Sequence, residues 1–382
     1  MKHFLKFSKW ILMLLIVAVV GLYITGYGYI LKGIWVVYLH GHTTAYIDDF
    51  EFFEVEEIPA STIPQPWPVH KKYNTVEPTQ TLSEMNDTLG TVAFLIIKND
   101  SIWYEKYFEG FGKNSQTNSF SMVKSITSAL LGKAINDGYI KSLDQPVGDF
   151  YPQYAGTGMT VGDLSSMASG LNWDESYFNP FGMTARAYYH DDLAEIILKL
   201  KVVDTPGVKF TYLSGNTQLL AMVIQNATKK QLAAYLYESF WQPMGAVNPA
   251  IWQVDDAKNR LVKAYCCLGS NARDFARFGK LYKDYGKWNG EQILDSAFVA
   301  KSITPRFSDS PEYGYGFWLS DYVEKKIFVM RGILGQYVIV IPEDDLIIVR
   351  LGHQRGSKTG MPFSSDFYVY VDEAYKMLGQ NQ

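Results

Sequence analysis

Strand-like runs lie on both sides of a long series of helical patterns, and this distribution restricts the possible folds more than any other feature of the chain. Segments 91–97 and 102–108, rich in Val, Ile, Phe and Tyr, flank Asn99-Asp100-Ser101 and read as an antiparallel hairpin. Apolar residues then recur at helical spacing over 122–135, 193–200, 217–226, 232–240 and 272–285. Strand patterns return over 315–319, 326–330, 336–341 and 346–351, with a turn at 342–345, and 366–378 has the pattern of a closing amphipathic helix. The expected body is therefore α+β. Its two ends pair in one antiparallel sheet, the middle forms a helical lobe, and a cleft lies where lobe meets sheet.

The N-terminus carries a different signal. Residues 10–31 contain no charged side chain and are long enough, as a helix, to cross a bilayer. Lys2, Lys6 and Lys9 precede this run, which places 1–9 in the cytoplasm and the rest of the chain outside. A cleaved signal peptide is the competing reading, but the stretch is too long and no Ala-x-Ala-like site follows it. The expectation is one uncleaved transmembrane anchor over 10–31, which makes the lipid bilayer a partner and the chain a single-pass protein of the inner membrane. An acidic, aromatic and then proline-rich segment, 32–85, reads as a connector, and 86–382 as a catalytic domain that is periplasmic or extracellular.

Composition narrows the chemistry. A chain of 382 residues with a formal charge of -4 gives no electrostatic reason to expect nucleic acid. The only cysteines, Cys266 and Cys267, are adjacent and read as buried free thiols rather than a strained vicinal bridge. No metal-ligand or P-loop pattern occurs, and no cofactor is expected.

Ser121-Met122-Val123-Lys124 stands where the helix over 122–135 should begin. Residues three apart share a helix face, so the Lys124 amine can reach the Ser121 hydroxyl, and a desolvated lysine can serve as the base that serine needs to become a nucleophile. Ser-x-x-Lys alone is common. Its bland reading is an N-cap serine with a solvated lysine. A second cluster, Phe210-Thr211-Tyr212-Leu213-Ser214-Gly215-Asn216, puts a phenol, a hydroxyl and an amide on one short loop before another apolar helix. Two readings stand there: Ser214 or Asn216 as a plain helix cap, and Tyr212 as a proton shuttle. The aromatics between Tyr177 and Tyr189 fit a substrate pocket as well as they fit ordinary loop packing, and His353 reads as structural.

With Leu164-Ser165-Ser166-Met167-Ala168-Ser169-Gly170-Leu171 and Ala272-Arg273-Asp274-Phe275-Ala276-Arg277-Phe278-Gly279, these motifs resemble the serine β-lactamase and penicillin-binding-protein superfamily over about 90–378. The resemblance is strongest to its class C-like branch of carboxypeptidases, esterases and 6-aminohexanoate-dimer hydrolases. It implies that Ser121 forms an acyl-enzyme, that Lys124 supports proton removal and that Tyr212 is the acid/base. Ser214 or Asn216 could instead fill the polar position of that element. The family's third motif should fall at Met330-Arg331-Gly332, where the glycine is kept and the cation is displaced. Gly332 would let backbone approach substrate, and an amide near Ile333 would complete an oxyanion hole with that of Ser121. A literal Lys358-Thr359-Gly360 follows the last strand and is taken as coincidence. The expected activity is hydrolysis of a small amide or ester. A peptidoglycan D,D-peptidase or β-lactamase is the alternative, and a penicillin-binding sensor that acylates without turnover is the alternative of another class.

Overall fold

Runs such as Thr91–Lys98 are apolar on both faces, and a strand of that kind needs cover above and below. The computed structural model, which describes residues 2–379, supplies both layers. Met1 of the expected cytoplasmic segment and 380–382 of the expected catalytic domain lie outside the described residues. The first part of the chain carries α1 (Lys2–Ile24), α2 (Tyr29–Val36), β1 (Val55–Ile58), α3 (Gln80–Thr88), β2 (Thr91–Lys98), β3 (Ser101–Tyr107), β4 (Thr117–Asn118) and α4 (Val123–Asn136). The middle carries α5 (Val161–Ser165), α6 (Met183–Tyr189), α7 (Leu193–Leu198), α8 (Ser214–Thr228), α9 (Leu232–Leu236), β5 (Ala250–Gln253), β6 (Leu268–Ser270) and α10 (Ala272–Lys283). The last part adds β7 (Lys287–Trp288), β8 (Glu291–Gln292), α11 (Ser296–Ser302), β9 (Trp318–Ser320), β10 (Ile327–Gly332), β11 (Gln336–Ile341), β12 (Leu346–Gly352) and α12 (Ser365–Leu378).

The main sheet has the order β3-β2-β12-β11-β10-β9, and every pairing in it is antiparallel. Its central contact joins the two ends of the domain, with Ile348 opposite Ile96. Alternation then sorts the side chains. Leu95, Ile97, Val338, Val340, Ile347 and Val349 join the cluster shared with the helical lobe. Phe94, Ile96, Tyr337, Ile339 and Ile348 join the cluster under α12, with Phe367, Tyr370 and Val371. On the lobe side α10 comes very close: a Cβ at Gly279 would stand 2.9 Å from a Val338 methyl, so glycine is what permits this approach.

A smaller sheet, β1-β5-β6-β4, lies beside the first and leads directly into the Ser121 turn. Its edge strand β1 comes from the segment expected to be a connector. That stretch packs onto the body: Val36, Ile47 and Ile58 are fully buried, and Trp67 donates its indole N–H to the Arg273 carbonyl at 2.8 Å. The physical reason is the number of large apolar side chains in 29–67, which would be exposed in a free linker.

The charge-free run over 10–31 is not one helix. α1 ends at Ile24, Gly26 adopts a left-handed backbone (φ +76°), and α2 starts at Tyr29 and packs against α6. Among the described residues, only Lys6–Ile24 is long and apolar enough to cross a membrane. The adjacent cysteines also depart from expectation, because Cys266 and Cys267 are joined in a disulfide. Cys267 has φ +76°, and the sharp turn this makes brings neighbouring side chains together.

Candidate active site

α4 is buried on almost every side, although it carries Lys124, Ser125, Thr127 and Ser128. These polar groups are satisfied individually. Ser125 donates to the Gly316 carbonyl, Ser128 donates to that of Tyr315 at 2.8 Å, and Thr127 donates to that of Ala264 at 3.3 Å. Helix and surroundings are thereby fixed against each other, which holds the first turn in place. Ser121 lies in the short 3-10 turn Phe120–Met122 just before α4. Phe120 has φ +44°, a conformation that costs a bulky residue on the order of 1–3 kcal/mol. The turn is held from behind: the Asn118 side chain accepts from the Phe120 amide at 2.9 Å, and the buried Asp49 accepts from the Tyr188 hydroxyl at 2.7 Å and from Gln253 at 3.0 Å.

The Lys124 amine lies 2.8 Å from Ser121 Oγ and donates to the Tyr265 carbonyl at 2.6 Å. Burial disfavours its charged form and draws its pKa down to about 8, against the opposing influence of Glu175. Near that pH a large fraction is neutral amine, with a lone pair available towards Ser121. Tyr212 lies close to the amine, its ring centroid 5.3 Å from Lys124 Nζ. Burial raises its phenol pKa, opposed by a hydrogen bond with Ser121 and by the positive charge of Arg331. Tyr212 is therefore a protonated donor at neutral pH and not a ready phenolate.

The other expected residues divide. Ser214 lines the same pocket as Ser121, but both its amide and its hydroxyl donate to the Glu175 carboxylate, at 2.5 and 2.7 Å. Asn216 is fully buried; its side-chain oxygen accepts from Ser169, and its amide nitrogen faces Met167 Sδ at 3.6 Å. It ties α8 to the Leu164–Leu171 stretch, away from the pocket. Neither residue caps α8, because Leu213 holds the cap position without a side-chain bond and Glu175 satisfies the first-turn amide instead. Glu175 is the group that sequence reasoning missed. Its only signal was an acid in the loop after Trp173, a pattern found in many loops.

β10 brings the third motif to the site. A Cβ on Gly332 would stand 2.4 Å from the Ser119 carbonyl, so only glycine lets this strand end lie against the Ser121 turn. Ile333 follows and lines the pocket with Ser121. Met330 points into the lobe-side core, whereas Arg331 stacks on Trp318 and Phe363 at 4.7 and 5.1 Å from their ring centres. The pleat thus sends the cation to the other side of the strand, as alternation requires. Lys358-Thr359-Gly360 lies in an exposed loop before α12. His353 pairs with Glu109 at 3.2 Å. Of the aromatic run, Tyr177, Phe178, Tyr188 and Tyr189 line the pocket.

A buried amine lies against a serine hydroxyl, with a protonated phenol close by and a glycine-ended strand against the serine turn, an arrangement that can support acyl transfer. The family model Beta-lactamase matches residues 79–366. A 6-aminohexanoate-dimer hydrolase of Paenarthrobacter ureafaciens is 25% identical over 289 residues, which cover 68% of this chain and 72% of that protein. Among solved structures, a Bacillus anthracis protein provisionally assigned as a 6-aminohexanoate-dimer hydrolase superposes with a TM-score of 0.76 at 22% identity, covering 88% of this chain and 94% of its own. EstCE1, a hydrolase with promiscuous acyltransferase activity, gives a TM-score of 0.58 at 14% identity, over 78% of this chain and 98% of its own. The chain is a hydrolase and belongs to the beta-lactamase family.

Proposed function

We propose that this protein cleaves a small amide or ester through an acyl-enzyme on Ser121. The observation that carries the reading is the buried Lys124 amine, with its pKa drawn to about 8, lying 2.8 Å from the Ser121 hydroxyl. Neutral Lys124 takes the Ser121 proton as Oγ attacks the substrate carbonyl, and the amides of Ser121 and Ile333 receive the developing oxyanion. Tyr212 gives its proton to the departing amine or alcohol and recovers one from the Lys124 ammonium. Water then enters, loses a proton to Lys124, and releases the acid as Ser121 is reprotonated. Gly332 supplies the close backbone approach, and Ser214, held by Glu175, borders the acyl group. Asn216 acts through the packing of α8. Lys6–Ile24 anchors the chain in the cell membrane, with the catalytic body on the periplasmic or extracellular side.

A fluorophosphonate probe tests the nucleophile. The full chain in detergent should gain one adduct by intact mass, mapped to Ser121 and missing in Ser121→Ala, while p-nitrophenyl acetate turns over in the wild type only. An adduct that persists in Ser121→Ala would refute the assignment. A permanent acyl adduct without turnover would replace it with the sensor reading.

The reading also fixes a pH dependence. Only the neutral amine accepts the Ser121 proton, so kcat/KM should rise with pH through about 8 and level off above it. Glu175 opposes the lowering of that pKa, so Glu175→Gln should move the rising limb to lower pH. Stopped-flow acylation rates across pH 6–10 check both; an unmoved or alkaline-shifted limb would remove Lys124 from the role of base.

A further inference from the structure

The pocket that Ser121 lines is walled in part by α2, the helix that follows Lys6–Ile24. Its free space is about 200 Å³, and its lining includes Ile30 and Ile34 of α2, Val37 just after that helix, Phe178, Tyr189 and Ser121. Among the described residues, none of the lining side chains is Asp, Glu, Lys or Arg. Such a wall can bind hydrocarbon but offers nothing to a charged peptide stem.

Several large apolar side chains beside this wall are also exposed. Trp35, Leu39, Phe178 and Phe181 are 49, 72, 96 and 60% exposed. Phe181 packs its ring edge-on against Tyr27, in the four-residue turn between α1 and α2, at 5.5 Å. The 19 residues of Lys6–Ile24 cover roughly 28 Å as a helix, about the thickness of a bilayer's hydrocarbon. Tyr29 therefore begins α2 at the level where aromatic side chains concentrate in membrane proteins. Large exposed apolar groups of this kind are costly in water and at home among headgroups.

We propose that the substrate of Ser121 is a membrane-resident amphiphile, an ester or amide whose acyl chain enters from the bilayer interface and lies between α2 and the 177–189 loop. This rests on the acyl-enzyme reading and adds the substrate class. The carbonyl carbon bonds to Ser121 Oγ, the ester or amide bond breaks, and the polar part leaves with a proton towards the aqueous side. The acyl chain stays in the pocket until water releases it as a fatty acid. The juxtamembrane helix is thus part of the active site, which explains why 29–67 is packed into the body instead of holding it away from the membrane.

The test uses the full chain reconstituted in phosphatidylethanolamine/phosphatidylglycerol vesicles, with p-nitrophenyl acetate and p-nitrophenyl decanoate. A buried methylene favours binding about fourfold, so the decanoate-to-acetate ratio of kcat/KM should exceed about tenfold. Ile34→Trp and, separately, Ala45→Phe narrow the pocket and should each lower that ratio at least fivefold. Vesicle partitioning alone would leave the ratio unaltered in both variants, and that result overturns the proposal. A wild-type ratio near one, with acetate turnover still abolished by Ser121→Ala, also overturns it and leaves the serine reading intact. Acetate turnover that survives Ser121→Ala means that the serine reading itself has failed.

Discussion

Lys124→Met should lower kcat by about a thousandfold while leaving KM within a fewfold and the melting temperature unchanged or higher. The direction of each effect follows from burial. Lys124 is 3% exposed, and its amine has two partners, Ser121 Oγ and the Tyr265 carbonyl. Placing an amine there costs the fold free energy, since ammonium loses solvation and free amine gives up its proton. Methionine has nearly the same length and no charge, so its burial removes that cost and leaves Ser121 Oγ and the Tyr265 carbonyl without this donor. Catalysis changes in the opposite sense. A positioned general base contributes roughly 10²–10⁴ in rate, and Ser121 has no other amine within hydrogen-bond distance among the described residues. The same substitution should eliminate the rising limb near pH 8 in what activity remains. Fluorophosphonate labelling rates report the same step without turnover, and they should fall by a similar factor. A variant that loses tenfold or less, or that keeps the limb, would mean that Tyr212 or water deprotonates Ser121. A variant that loses activity together with its melting transition would give Lys124 a structural role instead.

The parts of this site that could be read in advance are those encoded locally. Spacing of three on a helix put Lys124 beside Ser121, and the strand runs at each end gave the sheet with errors of one to three residues at most boundaries. Arg331 followed the pleat away from the core side of Met330, as period two requires. The residues that escaped notice act across the chain. Glu175 caps α8 from 39 positions away, and Asp49 steadies the Ser121 turn through Tyr188 and Asn118 from a segment that looked like a linker. No periodicity marks a carboxylate for such a task, because its partners are chosen by folding. The Cys266-Cys267 bridge and the break at Gly26 were hidden for a related reason. Both depend on left-handed backbone, which Cys267 gives no compositional sign of and which Gly26 permits without requiring.

Arg350→Met should destabilise the protein by about 3–5 kcal/mol, with a fall in melting temperature on the order of 10 °C, and should slow turnover in what remains folded. Arg350 sits on β12 with no solvent exposure and gives out five hydrogen bonds. One goes to Thr91 Oγ1 at 3.0 Å, and four go to the carbonyls of Leu334, Gly335, Gln354 and Leu89 at 2.7 to 3.0 Å. Methionine fills much of the volume but returns none of these donors, and each buried carbonyl left unsatisfied costs roughly 1–3 kcal/mol, less where a neighbour relaxes towards it. The two bonds to Leu334 and Gly335 link stability to chemistry. Leu334 is held at φ +62°, a strained conformation for leucine, in the turn that carries Ile333 from the end of β10 to the pocket. Without the guanidinium the turn keeps the longer bond from the Gln336 side chain to the Ile333 carbonyl, at 3.3 Å, and the amide expected to meet the oxyanion drifts. Arg350→Lys separates charge from geometry: one ammonium cannot reproduce a planar fork with bonds in several directions, so it should regain only part of the loss. Denaturant midpoints for the three proteins, read beside kcat at a temperature where all are folded, give the answer. If Arg350→Met melts within 2 °C of the wild type and turns over normally, the β12 arginine does not hold the Ile333 turn, and Gly332 together with the Ser121 turn must position it instead.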